Sequence, residues 1–169
     1  MMAAVDDQPA APTRPVRPTR DDYVAWRTVT TRWRDDDAYG HLNNATYYEL
    51  FDTAVNAHLI EATGQNVRLL PQIGVVAETS CRYFRELGFP DPIETGLVVD
   101  KVGTSSIVYR IGLFQGESAQ AAAEGRFVHV YVDNTDPERP VTPLPAEVRA
   151  AVEPLVRCLH EPRARALGP

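Results

Sequence analysis

The sequence predicts an α+β fold: one long helix packed on an antiparallel sheet of about five strands. Three observations lead there. A single stretch of helical period, from about Ala45 to Ala62, follows one strand-like run. Four further β-rich runs come after it, punctuated by glycine and proline turns. The gaps between those runs are too short for the crossover helices that a parallel sheet requires.

Residues 1–22, "MMAAVDDQPAAPTRPVRPTRDD", hold four prolines and no apolar period, so a flexible lead-in is expected there. Tyr23–Trp33, "YVAWRTVTTRW", is rich in aromatic and β-branched residues and is read as a strand. "RDDDAYGHLNN", from Arg34 to Asn44, follows neither period and is a loop unusually rich in polar groups. In the helix after it, Tyr47, Phe51, Ala54, Val55, His58 and Leu59 share one face. Thr46 with Glu49 forms one possible cap; Asn43 or Asn44 is the other. Gly64 ends the helix, because a left-handed residue without Cβ satisfies the last carbonyls at no steric cost. An irregular connection then runs to Pro71.

The later strands are expected at Gly74–Glu86, Glu94–Val102, Ser105–Gln115 and Ala119–Val132. "SAQAAAEG", at the start of the last one, is helical by propensity, but it leads without a break into the β run "RFVHVYV" and is read as strand. Pro145–Leu155 is a short closing helix, and residues 157–169 resemble the lead-in. One domain is therefore expected over residues 23–156, with flexible tails on both sides.

A chain of 169 residues with 44% hydrophobic and 24% charged content is long enough for a real core and is neither a disordered nor a membrane composition. The net charge of -6, without a basic patch, argues against a nucleic-acid partner. It leaves room for a few local arginines to hold phosphates. Cys81 and Cys158 form no CxxC pair, so neither a zinc site nor a redox pair is indicated. No long apolar span or signal peptide is visible, and a cytoplasmic protein without membrane insertion is the expectation.

The chemistry concentrates in the polar loop. Asp35, Asp36 and Asp37 are three adjacent carboxylates; partial burial of one among like charges would raise its pKa and suit it to act as a base. The alternative is a solvated acidic turn. Gly40 lets the backbone approach a ligand closely, and the helix start offers unpaired N–H groups to a carbonyl oxygen under attack. His41 either orients water or ties the loop down, and Asn43 and Asn44 either cap the helix or bind substrate. Arg82 and Arg85, flanking Tyr83-Phe84, are phosphate-binding candidates or ordinary surface arginines. Thr104, Ser105 and Ser106, in the turn after Lys101, are candidates for nucleotide contact or a plain hairpin turn. Tyr47, with Tyr48 and Phe51, either lines a pocket or fills the core. His58 and His129 are read as packed histidines. No Gly-x-Ser-x-Gly elbow, P-loop or dinucleotide fingerprint is present.

Residues 32–59, "RWRDDDAYGHLNNATYYELFDTAVNAHL", resemble the 4-hydroxybenzoyl-CoA thioesterase-like branch of the hot-dog superfamily. The loop pattern Asp-x-Asp-x-x-Gly-His-x-Asn-Asn falls on Asp35, Asp37, Gly40, His41, Asn43 and Asn44. The later "VVAETSCRYFRELGFPDPIETGLVV" and "AAAEGRFVHVYVD" are similar to that family's strand pairs, so the resemblance spans about residues 24–150. It implies a hot-dog fold, a curved sheet wrapped round a central helix, and a homodimer joined edge to edge, in some members stacked into a homotetramer. It implies active sites at the dimer interface and hydrolysis of acyl-CoA without a cofactor beyond the CoA of the substrate. Asp37 takes the place of the nucleophile or general base, with Asp35 holding the loop and His41 and Asn44 orienting substrate or water. The His-Leu-Asn-Asn run departs from the benzoyl-type enzyme, so specificity for aromatic substrates does not carry over. Glu49 is the alternative base by comparison with relatives that use a helix glutamate. An acyl-carrier protein could replace CoA as donor. A hot-dog dehydratase or hydratase, or a non-catalytic acyl-binding protein, is the alternative reading.

Overall fold

A computed structural model of the chain describes residues 16–157; the rest of the two expected tails, including Cys158 and His160, lies outside the described residues. Five strands, β1 (Ala25–Val29), β2 (Gln72–Tyr83), β3 (Ile93–Val102), β4 (Ser106–Gln115) and β5 (Ala123–Asp133), form one sheet in the order β1-β3-β4-β5-β2. Every pairing is antiparallel. The sheet curves round one long helix, α1 (Asn44–Thr63), and a short helix, α2 (Ala146–Val152), closes the chain.

Alternation along the strands explains the packing. Ile107, Tyr109, Ile111 and Leu113 of β4 point to the core that α1 fills with Leu50, Phe51, Ala54, Val55 and Leu59. Phe51 is fully buried and lies on Gly125 of β5, where an added Cβ would sit 2.5 Å from its ring. The glycine is what lets helix and sheet approach there. On the opposite face Tyr23 covers β3 and β4, packs edge-on against Phe114 with ring centroids 5.6 Å apart, and donates to the buried Glu124 over 3.0 Å.

Asn43 is the helix cap: its side chain accepts from the Ala45 N–H over 2.9 Å. Thr46 instead donates to the Asp35 carbonyl, so the Thr46–Glu49 capping box does not form. Gly64 ends α1 with φ +64, as the sequence indicates. β2 stops at Tyr83, short of Glu86, because the N–H groups of Phe84 and Arg85 both turn to the Ala122 carbonyl. The alanine-rich run is extended and β5 opens at Ala123, later than Ala119; Ala121, Ala122 and Ala123 have no exposed surface, and burial overrides helix propensity. Residues 16–22, inside the expected lead-in, dock on this run: the Ala121 N–H donates to the Pro18 carbonyl and Arg17 Nε to the Ala121 carbonyl. No helix among the described residues is long and apolar enough to cross a membrane.

Candidate active site

The loop before α1 is closed by its own backbone. The Asp37 N–H donates to the His41 carbonyl over 2.7 Å, and the Gly40 N–H to the Asp37 carbonyl over 3.2 Å. Gly40 needs φ +79 to make this turn; the space beside it is open, so the dihedral and not crowding requires glycine.

Within this loop the three carboxylates have separate environments. Asp35 is buried and takes three contacts from Arg32: the N–H at 2.8 Å, Nε at 3.0 Å and Nη2 at 2.8 Å. These donors hold its carboxyl below the ordinary carboxylate range. The buried member of the triplet is thus shifted down, contrary to the rise expected from like-charge crowding. The Asp35 carbonyl also accepts from the Asn43 N–H, so this residue positions the start of α1. Asp36 accepts from the Phe89 N–H, which ties the loop to the segment after β2. Asp37 is half-buried. Its Oδ1 accepts from the N–H groups of Tyr39 (2.8 Å) and His41 (3.3 Å), and no hydrogen bond among the described residues occupies Oδ2.

Asp37 opens on a recess of about 510 Å³ shared with His41, Asn44, Tyr47, Tyr83 and Arg85. At the helix start, the Ala45 N–H goes to the Asn43 side chain and the Thr46 N–H to the Asn43 carbonyl. The Asn44 N–H has no partner among the described residues, leaving one donor at the positive end of the helix dipole on the wall that carries Asp37. His41 Nε2 lies 3.3 Å from Glu86 Oε2, linking the loop to the chain after β2. Tyr47 is buried, its phenol pushed up to about 12 by desolvation, and it meets Tyr83 edge-on with centroids 4.9 Å apart.

Other expected site residues are placed elsewhere. Asp35 and Glu49 line a separate groove with Thr31 and Thr53. Asn43 is used as the cap. Arg82 is paired with the buried Glu124 and stacks over Phe84 at 5.8 Å, so its charge is already compensated. Arg85 reaches the Gln115 carbonyl and remains exposed at the recess. Thr104, Ser105 and Ser106 lie at the opposite end of β4 from Gln115, roughly 30 Å along an extended strand. Their backbone is engaged by Leu144 and Tyr131, as a structural turn would be. Sequence reasoning missed Tyr83, Phe84, Glu86 and Leu42 as recess walls; the available signal was an aromatic pair at a strand end between two arginines. Among the described residues, no three His, Cys, Asp or Glu side chains are grouped to hold a metal ion. Burial pushes the Cys81 thiol up to about 11, away from nucleophilic use.

Residues 31–152 match the family model described as the thioesterase-like superfamily. Among solved structures, a protein of Pseudomonas aeruginosa strain PAO1 is 43% identical, with a TM-score of 0.79 over 83% of this chain and 97% of that one. A second Pseudomonas aeruginosa protein, titled a candidate thioesterase, is 30% identical, with a TM-score of 0.67 over 75% and 96%. A Thermus thermophilus thioesterase crystallised with coenzyme A and zinc shares the fold at 23% identity, with a TM-score of 0.65 over 78% and 98%. Among curated proteins none matches.

Proposed function

We propose that this chain, which belongs to the thioesterase-like superfamily, hydrolyses an acyl-CoA thioester to a free carboxylic acid and CoA at the Asp37 recess. One juxtaposition carries the reading: a carboxylate with a free oxygen and an unclaimed helix-start N–H share the recess. Asp37 Oδ1 is fixed by two N–H donors, so Oδ2 is presented to the recess. There it removes a proton from water as the water oxygen adds to the carbonyl carbon, or attacks that carbon itself to give a mixed anhydride that water then opens. Either way negative charge gathers on the carbonyl oxygen, where the Asn44 N–H stabilises it. Collapse breaks the C–S bond, and the thiolate leaves and is protonated. His41 and the Asn44 side chain flank the carboxylate and orient water or substrate. Arg85 is the exposed guanidinium placed to meet a CoA phosphate, a role supported by the coenzyme A bound to the Thermus thermophilus relative.

We also place a homodimer on β2. This strand ends the sheet, runs for 12 residues and is exposed on both faces from Val76 to Ser80. Such an open edge is a template for pairing with another strand. Tyr83 at its end carries the recess, so a second copy along this edge would roof Asp37.

The experiment is thiol release, read with DTNB, over a panel of acyl-CoA and acyl-carrier-protein thioesters. Asp37→Asn and Asp37→Ala are expected to lower turnover by roughly 100-fold or more, the scale of losing a catalytic base. Turnover near wild type in both variants would overturn the assignment. Silence of the wild type over the panel would favour a dehydratase, hydratase or acyl-binding role. Hydroxylamine trapping of an acyl-Asp37 anhydride separates nucleophilic attack from base catalysis.

A further inference from the structure

A second pocket, of about 200 Å³, lies at the other end of α1. Leu59, Leu70, Gln72, Gly74, His129 and Tyr131 form its wall. Tyr47 and Leu59 are 12 residues apart on the helix, about 18 Å at its rise, so within one chain this pocket is distinct from the Asp37 recess.

His129 sets its chemistry. The side chain is 1% exposed, and neither ring nitrogen has a hydrogen-bond partner among the described residues. Its Nδ1 edge faces Gly74, where an added Cβ would come within 2.8 Å. Tyr109 packs edge-on against the ring with centroids 5.5 Å apart, and Phe127 lies at 5.2 Å, so the aromatic neighbours supply no conventional donor or acceptor to those nitrogens. Burial lowers the imidazole pKa to about 4, leaving the ring uncharged at neutral pH. A neutral imidazole carries one donor and one acceptor. A hydroxyl group can answer either, whereas a carboxylate can only accept. The volume exceeds the roughly 150 Å³ that holds a benzene molecule. The rest of the wall mixes leucines with the Gln72 amide and the Tyr131 phenol.

We infer that this pocket is a binding site for an uncharged, hydroxyl-bearing group about the size of a single ring, with His129 as its recognition residue. The site stands on its own geometry, whether or not Asp37 hydrolyses thioesters. The hydroxyl belongs either to a free small molecule or to the acyl end of a thioester held by a second copy along β2.

The test is NMR of the ¹⁵N-labelled histidine side chains of the full chain, titrated with phenol, fluorobenzene and benzoate. The His129 ring signals are identified by their loss in His129→Phe. Phenol is expected to shift them saturably and to give NOEs to the methyls of Leu59 and Leu70. Fluorobenzene, which lacks the O–H, should bind at least tenfold more weakly. Gly74→Val, which fills the wall beside Nδ1, should abolish the shift; if that variant does not fold, the NOEs in the wild type decide. Absence of a saturable shift with phenol, equal binding of fluorobenzene, or tighter binding of benzoate would each overturn the site. The source of the hydroxyl is read by adding 4-hydroxyphenylacetyl-CoA to Asp37→Asn protein. A shift at His129 assigns the acyl end; none, where phenol gives one, assigns a free molecule.

Discussion

Replacing Asn44 by proline removes the proposed oxyanion donor and leaves the helix in place. Asn44 is the first residue of α1, the one helical position where a missing N–H breaks no intrahelical bond. Its N–H has no other partner among the described residues. Asn43, before it, sits at φ -59 and ψ 137, the extended backbone that a residue preceding proline prefers. The stability change should therefore stay within about 0.5 kcal/mol. Loss of one oxyanion donor lowers kcat by about 100- to 1,000-fold, or about 3–4 kcal/mol of transition-state stabilisation. Asn44→Ala is the paired control: it keeps the N–H and removes only the side-chain amide. Steady-state thiol release and thermal melts of both variants decide the matter. The expected outcome is a folded Asn44→Pro protein with collapsed kcat and a much milder effect in Asn44→Ala. Wild-type kcat in Asn44→Pro refutes the reasoning. Equal loss in both variants refutes it too, because the side-chain amide would then be the donor.

Other perturbations test the frame around that site. Asn43→Ala, which frees the Ala45 N–H, should destabilise the protein by about 1 kcal/mol in urea unfolding, the value of a helix cap. Gly125→Ala forces Phe51 away from the sheet and should lower stability by about 1–3 kcal/mol, with partial recovery in the double variant with Phe51→Leu. Glu124→Ala leaves the half-buried Arg110 with Asp100 alone and should cost about 3–5 kcal/mol, read by the same unfolding. Acid should also destabilise through His129. Its folded pKa of about 4 lies below the model value of 6.5, so the unfolded chain binds the proton first and stability falls as pH drops from 6.5 towards 4. The 2.5-unit difference amounts to about 3 kcal/mol. Unfolding at pH 7 and pH 4 in wild type and His129→Phe isolates it: the variant should lose correspondingly less.

The sequence by itself determined the element types, the single long helix ended by Gly64 and the polar loop that opens it. These are local matters. Helical spacing, β-branched runs and a glycine in left-handed backbone each report on a few neighbouring residues. The candidate site was legible as far as the loop and Asp37, the latter through its family pattern and not through its charge. Only the tertiary structure separated the three aspartates. Arg32 claims Asp35, and the Phe89 N–H, 53 residues away in the chain, claims Asp36, which leaves Asp37 with a free oxygen. It also assigned Arg82 to Glu124, kept Thr104–Ser106 from the recess and held an alanine run in extended form. The His129 pocket depends on Gly74 of β2 lying beside β5, a pairing of strands more than 50 residues apart. Whether a polar group finds a partner depends on what the fold brings next to it, and no local pattern in the sequence encodes that.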